Sequence, residues 1–319
     1  MISKEKHNIA VVIPCYNEGV SIQKVISDFK RSLPDATFFV FDNNSSDNTI
    51  SQATAAGAQV FSVREQGKGN VVRRMFANVN ADIYVMVDGD ATYDASCAPM
   101  MVDKLISERL DMVVGVRKHE DELAYRPGHT FGNKMLTGCV KSIFGGDFTD
   151  MLSGYRIFSA RYAKSFPAMA QGFETETELT VHALELRMPY GEFITPYGAR
   201  MEGSTSKLST YKDGLKILKM IIKLYSSERP LAFFGIIAAF LFSIGILLAL
   251  PLASYYFETG LVPRLPTALL STGLVIVSTF SFLAGLILEN VTLARREMKR
   301  LAYLSFPVLP RENKKEKTE

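Results

Sequence analysis

Asn8-Ile-Ala-Val-Val-Ile-Pro14 is an apolar, largely β-branched run that stops at Cys15-Tyr16-Asn17-Glu18. A run of this kind bounded by turn formers reads as a buried strand, and residues 18–31 read as the helix that follows it. The same alternation repeats downstream. Residues 37–42, 58–63, 83–87 and 112–116 read as strands, with helices at 47–56, 69–77 and 96–109 between them. Strand-helix alternation builds a mostly parallel sheet with helices on both faces, so the expected class is α/β. In such sheets ligands sit beyond the carboxyl ends of the strands.

Three of those strand ends are polar and acidic: Pro14-Cys-Tyr16-Asn17-Glu18, Asp42-Asn43-Asn44-Ser45-Ser46-Asp47 and Asp88-Gly89-Asp90. Each has a plain structural reading, since Asp47 can cap a helix and Asn43-Asn44 can form a turn. Together they point to one polar crevice. Asp88-Gly89-Asp90 is the most informative, because two carboxylates separated only by glycine can approach a hard cation closely. Mg²⁺ or Mn²⁺ typically takes one or two carboxylates and fills its shell with phosphate oxygens and water. Lys68, inside Gln66-Gly67-Lys68-Gly69, adds a positive charge beside a permissive turn. Metal-binding acids and a lysine in one crevice suggest a nucleoside diphosphate ligand.

The 319 residues hold 36 Lys and Arg against 33 Asp and Glu, a net +3 too balanced for a dedicated nucleic-acid binder. The charges are unevenly spread, and residues 231–288 contain only Glu258 and Arg264. Residues 231–257 and 265–288 are uncharged, each longer than the roughly 20 residues a helix needs to cross the hydrocarbon core. Lys212, Lys216, Lys219, Lys223 and Arg229 precede the first run, and Arg295, Arg296, Lys299 and Arg300 follow the second. The positive-inside rule then puts both flanks in the cytosol and the 258–264 connection outside.

The expected organisation is a cytosolic domain at 1–209, a juxtamembrane interfacial helix at 210–230, two transmembrane helices (231–257 and 265–288) and a cytosolic basic tail at 289–319. This describes a multi-pass protein of the inner or plasma membrane. The four lysines of 212–223 share one helical stripe, suited to anionic headgroups while the apolar remainder dips toward the acyl chains. The apolar stretch at 9–13 is too short for a signal-peptide core, so the first domain is expected to stay in the cytosol. Cys15, Cys97 and Cys139 are far apart and odd in number, which argues against a disulfide framework or a structural zinc site.

With these motifs in order, the chain resembles the family 2 glycosyltransferases of GT-A fold, a Rossmann-like, mostly parallel sheet. Within them it looks like the branch of dolichol-phosphate mannose synthase and the bacterial polyprenyl-phosphate glycosyltransferases. The resemblance runs over about residues 8–215 and also rests on Gly115-Val-Arg117, Ser153-Gly-Tyr-Arg156, Gly172-Phe-Glu-Thr-Glu176-Thr-Glu178 and Gly203-Ser-Thr-Ser-Lys207-Leu208. A trailing two-helix transmembrane hairpin is typical of its bacterial members. The resemblance implies that Pro14, Tyr16 and Glu18 contact the nucleotide base and ribose, with Asp42 on the base or ribose. Lys68, Asp88 and Gly89 join them in holding the nucleotide-sugar, while Asp88 and Asp90 bind Mg²⁺ or Mn²⁺. The family often carries glutamine two residues after the second aspartate, where this chain has Thr92.

The implied reaction is an inverting, metal-dependent transfer of a hexose from a UDP- or GDP-sugar to a polyprenyl phosphate, such as undecaprenyl or dolichyl phosphate. The product would be a lipid-linked sugar for cell-envelope glycans. Asp90, Arg117, Arg126, Arg200 and Lys207 are the expected catalytic residues, and Asn133, Ser153, Arg156 and Glu176 the candidate acceptor residues. Partners are then the donor, the lipid acceptor and the membrane, with no nucleic acid and with homo-oligomerisation left open. A lipid phosphate is already ionised near neutral pH and needs cations to position it, a task that suits arginine. Rival readings remain. Transfer to a lipid hydroxyl would need a base, for which Glu176 or Asp150 could serve. An inactive membrane adaptor would have no need of Asp88, Asp90 and Lys68. A processive polysaccharide synthase would need the tryptophan of a Q-x-x-R-W motif, and this chain has no tryptophan.

Overall fold

The computed structural model describes residues 7–119, 127–170, 174–198 and 210–309, without the side chains of 119, 127–134, 136 and 210–218. The strands are β1 (Ile9–Cys15), β2 (Thr37–Asp42), β3 (Gln59–Ser62), β4 (Ile83–Met86), β5 (Met112–His119), β6 (Arg156–Ser159) and β7 (Tyr190–Tyr197). They form one sheet in the order β3-β2-β1-β4-β6-β5-β7. The mostly parallel expectation holds. Strands β3, β2, β1 and β4 run parallel, as do β5 and β7, whereas β6 is antiparallel to both β4 and β5. The reversed strand matters for the site. It brings the residues that lead into β6 to the same sheet edge as those that leave β4 and β5.

Helices α1 (Ile22–Ser32), α2 (Thr49–Ala55), α3 (Lys68–Asn78) and α4 (Ala98–Ser107) connect the first strands. Helix α1 starts later than the pattern suggests because the Glu18 carbonyl accepts from the Ser21 and Ile22 amides, closing a turn first. Its buried stripe of Ile22, Val25, Ile26 and Phe29 packs with Val11, Ile13, Met101 and Leu105. Phe29 meets Tyr155 edge-on at 5.7 Å between centroids, geometry worth about 0.5–1.5 kcal/mol beyond area burial. Phe76 of α3 makes similar edge contacts with Tyr84, Phe158 and Phe166. Later come α5 (Pro127–Phe144), α6 (Ala160–Ser165) and α7 (Thr175–Glu185).

The chain divides into two units, residues 1–214 with 298–319, and residues 215–297. The second contains most of α8 (Thr210–Glu228), then α9 (Pro230–Thr259) and most of α10 (Leu265–Leu304). Helices α9 and α10 are long and apolar enough to cross a membrane, and they pack antiparallel. The Ser271 hydroxyl donates to the Gly245 carbonyl and Ser278 to that of Ala238, each at 2.8 Å. Small residues at these crossings let the backbones approach, the usual device of paired membrane helices. In the first unit, Tyr303 donates to Asp111 at 2.7 Å, and Arg161 pairs with the same carboxylate.

Candidate active site

The loops after β1 and β2 brace one another. Asn17, held at φ 54°, donates its amide to Ser45 Oγ and accepts the Ser46 amide on Oδ1, both at 2.8 Å. Asp47 accepts from the Gly19 amide and from Thr49, so it ties the two loops rather than only capping α2. Asn43 reaches further. Its side-chain amide donates to the Val63 and Glu65 carbonyls, and its oxygen accepts the Gly67 amide at 2.7 Å. That fixes the turn in which Gly67 takes φ 125°, a conformation open to glycine.

At this shared edge Asp42 is 1% exposed. Its Oδ2 accepts the Ser45 amide, while Oδ1 has no hydrogen-bond partner among the described residues. An orphaned buried carboxylate oxygen is costly unless a ligand donor meets it. Tyr16, which is exposed, directly follows Cys15, the β1 residue paired with Asp42. The Cys15 thiol, pushed up by burial and then by Glu18 and Asp42, stays protonated and acts as filler.

Lys68 begins α3, and its Nζ pairs with Asp88 Oδ1 at 2.6 Å and Glu176 Oε1 at 2.5 Å. Burial works against its charge, but the two carboxylates outweigh that and hold the ammonium protonated more firmly than a free lysine. Gly154 makes room for this arrangement, because a Cβ there would stand 2.1 Å from Asp88 Oδ2. Gly69 is equally constrained, with a Cβ position 2.0 Å from the Ala170 carbonyl. The Gly89 carbonyl accepts from Ser21 Oγ at 2.6 Å, which anchors the turn between the two aspartates. Asp90 is buried, and its Oδ1 accepts the Thr92 hydroxyl at 2.6 Å. Thr92 therefore orients Asp90.

The donor set suits a hard cation, since Asp88 and Asp90 offer only carboxylate oxygen. No group of three or more His, Cys, Asp or Glu among the described residues is placed to hold a metal alone. Mg²⁺ or Mn²⁺ bound here would thus draw the rest of its shell from the ligand and water.

Across the reversed strand stands Arg117. Its guanidinium makes a bidentate pair with Asp150 at 2.7 and 2.8 Å and lies over the Tyr197 ring at 5.5 Å. Burial pushes the Asp150 carboxyl up, but Arg117 outweighs it and holds the group below the ordinary carboxylate range. Tyr93 links the two clusters. Its hydroxyl accepts the Gly154 amide at 2.9 Å, and its ring meets that of Tyr197 at 5.2 Å.

The structure thus gathers Asp42, Lys68, Asp88, Gly89, Asp90 and Glu176 at one edge, with Pro14 near the end of β1 and Tyr16 and Glu18 on the loop that follows it. Two expected acceptor residues face elsewhere. Arg156 is fully buried, and its guanidinium donates to the Ser153 and Met151 carbonyls and to Thr180 Oγ1. Ser153 is also buried and donates to the Gly115 carbonyl at 2.6 Å. Both brace the lead into β6. Arg126, Arg200 and Lys207 lie outside the described residues, as does the side chain of Asn133 on α5. Sequence alone does not single out Tyr93 or Tyr197; the signal for Tyr93 is its place directly after Asp88-Gly-Asp90-Ala-Thr.

The carboxyl edge of the sheet thus carries two loops that brace one another, an aspartate pair and a lysine held between two carboxylates. Residues 10–161 match the model of glycosyl transferase family 2. Glycosyltransferase AglJ of Haloferax volcanii is 31% identical over 305 residues, covering 93% of this chain and 98% of that protein. The dolichyl-phosphate hexose transferase of the same organism is 25% identical over 222 residues, 70% of this chain and 96% of its own. Among solved structures, glucosyl-3-phosphoglycerate synthase from Mycobacterium tuberculosis, in complex with Mn²⁺, UDP and glucosyl-3-phosphoglycerate, superposes with a TM-score of 0.56. It is 25% identical, over 70% of this chain and 80% of that one. The chain belongs to glycosyltransferase family 2, and its sheet is of GT-A type.

Proposed function

We propose that this glycosyltransferase moves a hexose from a nucleoside-diphosphate sugar to a polyprenyl phosphate at the cytosolic face of a membrane, with inversion. In this reading residues 1–209 form the transferase domain and 210–230 an interfacial helix. Residues 231–257 and 265–288 span the membrane, and 289–319 return to the cytosol. Asp42 and Tyr16 receive the base, the amino end of α3 faces the diphosphate, and Asp88 and Asp90 hold Mg²⁺ or Mn²⁺. Bound there, the cation would stabilise negative charge on the leaving diphosphate.

The observation that carries the acceptor class is the state of the two carboxylates that could act as a base. Glu176 is committed to Lys68 and Asp150 to Arg117. A carboxylate serving as counter-ion to a buried cation is a poor proton acceptor. A hydroxyl acceptor would need one; a phosphate monoester would not. Its oxygen attacks the anomeric carbon as the bond to the nucleotide breaks, and no proton has to move. Arg117, planar and preset by Asp150 and Tyr197, is suited to steer that phosphate. The dolichyl-phosphate relative agrees with this acceptor.

The test is transfer from a panel of UDP- and GDP-sugars to polyprenyl phosphate and to the matching free polyprenol, with Mn²⁺ present and the lipid extracted. Product on the phosphate alone is expected. Equal use of the alcohol would move the reading to base-assisted transfer onto a hydroxyl.

A further inference from the structure

We propose that Lys68 is a resident counter-cation that neutralises Asp88 until the divalent cation and the diphosphate arrive, and that Glu176 is the positioning residue that keeps Lys68 when Asp88 is taken up by the cation. This rests on the metal reading of Asp88 and Asp90 given above.

The argument starts from an imbalance. One ammonium stands between two carboxylates, at 2.6 and 2.5 Å, so the cluster carries an excess negative charge even before Asp90 is counted. If Lys68 only had to be kept ready for phosphate, one carboxylate would be enough. The second has a purpose if the first must leave, because a buried charge stripped of its only partner is strongly destabilising. Exposure agrees with this division. The Asp88 side chain is 29% exposed, Lys68 15% and Glu176 7%. Asp88 is the carboxylate that incoming groups can reach. Glu176 sits in the first turn of α7, where the helix dipole favours a fixed negative charge. Lys68 sits at the amino end of α3, where the dipole offers it nothing, so its carboxylate partners alone secure it.

Lys68 and the metal therefore compete for Asp88, and removing one should help the other. In detergent, the full-length protein without nucleotide is titrated with Mn²⁺, and free Mn²⁺ is read by electron paramagnetic resonance. Lys68→Gln is expected to bind Mn²⁺ about 10-fold or more tightly than the parent, since a charge a few ångströms away is removed. Glu176→Gln is expected to bind several-fold more weakly, because Lys68 then has only Asp88. The variants move in opposite directions, which a merely structural role for either residue does not produce. Lys68→Gln combined with Glu176→Gln removes the buried Glu176 charge that the single variant would strand, leaves Asp88 free for the cation, and covers the case in which the single variant fails to fold. It too is expected to bind Mn²⁺ more tightly than the parent. Parental or weaker binding by Lys68→Gln, or by the double variant where the single does not fold, overturns the counter-cation role while leaving the metal site standing. Absence of Mn²⁺ binding in the parent, with UDP or GDP added, overturns the metal reading and this proposal with it.

Discussion

The two charged clusters of this enzyme are built on opposite ratios. Around Lys68 there are two carboxylates to one cation, with Asp90 close by in sequence, whereas Arg117 and Asp150 are matched one to one and shielded by Tyr197. The first cluster is short of positive charge, which is what a site awaiting a divalent cation should be. The second is balanced and geometrically preset, suited to an anion that brings its own charge. On the proposed reading, charge ratio at the sheet edge separates the donor's cluster from the acceptor's.

The strongest way to break that distinction is at the anion-rich cluster. Asp90→Asn should lower turnover at saturating Mn²⁺ by at least about 100-fold, because an amide cannot replace a carboxylate on a divalent cation. Near-parental turnover would remove the cluster from the chemistry. Gly154→Ala is expected to come close behind. Its Cβ would fall on the Asp88 carboxylate, so Mn²⁺ affinity should drop together with turnover while the protein stays folded by circular dichroism.

At the balanced cluster, Arg117→Gln removes a bidentate donor, about 1.5–3 kcal/mol per charged hydrogen bond, or roughly 10-fold to 150-fold in kcat/KM for lipid phosphate. Nucleotide affinity, read by calorimetry, should change little. Asp150→Asn sharpens the comparison further. A general base is worth about 10²–10⁴-fold, whereas a counter-ion that only orients Arg117 should cost about 10-fold or less and leave the rate flat above pH 7. Loss of more than about 100-fold with a new alkaline dependence would make Asp150 the base.

The smallest effect is on stability against pH. The Asp150 carboxyl is held below its unfolded value, near 3.9 for a free aspartate. The pair therefore contributes fully above about pH 4 and is lost as pH falls through the lower folded-state value. The Tm gap between parent and Asp150→Asn should be open at pH 7 and close on acidification. A gap unchanged down to pH 3 would contradict the ion pair.

Much of the framework was legible. The β-branched runs of β1, β2, β4 and β5 could hardly be anything but buried strands, and the polar residues closing them do meet at one edge. Strands β6 and β7 leave little mark on the sequence. The first is only four residues and opens on Arg156, and the second contains Gly191 and Pro196, which an edge strand tolerates and a central one does not. Without β6 the reversal that places Asp150 opposite Arg117 is invisible. Arg156 shows the other limit. A motif reveals that an arginine stands there but not which way it points, and here it points inward to carbonyls. The pairing of Lys68 with Glu176 spans helices far apart in sequence, joined only by the folded sheet.

The bond between Arg117 and Asp150 also closes a chain excursion. Arg117 lies near the end of β5 and Asp150 follows α5 on the approach to β6, so the bidentate pair joins the two ends of that stretch of chain. An insert clamped at its base can change length and composition while the sheet on either side keeps its register. On the proposed reading, the sequence between β5 and Asp150 is where a change of lipid carrier would be met, while the half of the domain proposed to hold the nucleotide stays as it is.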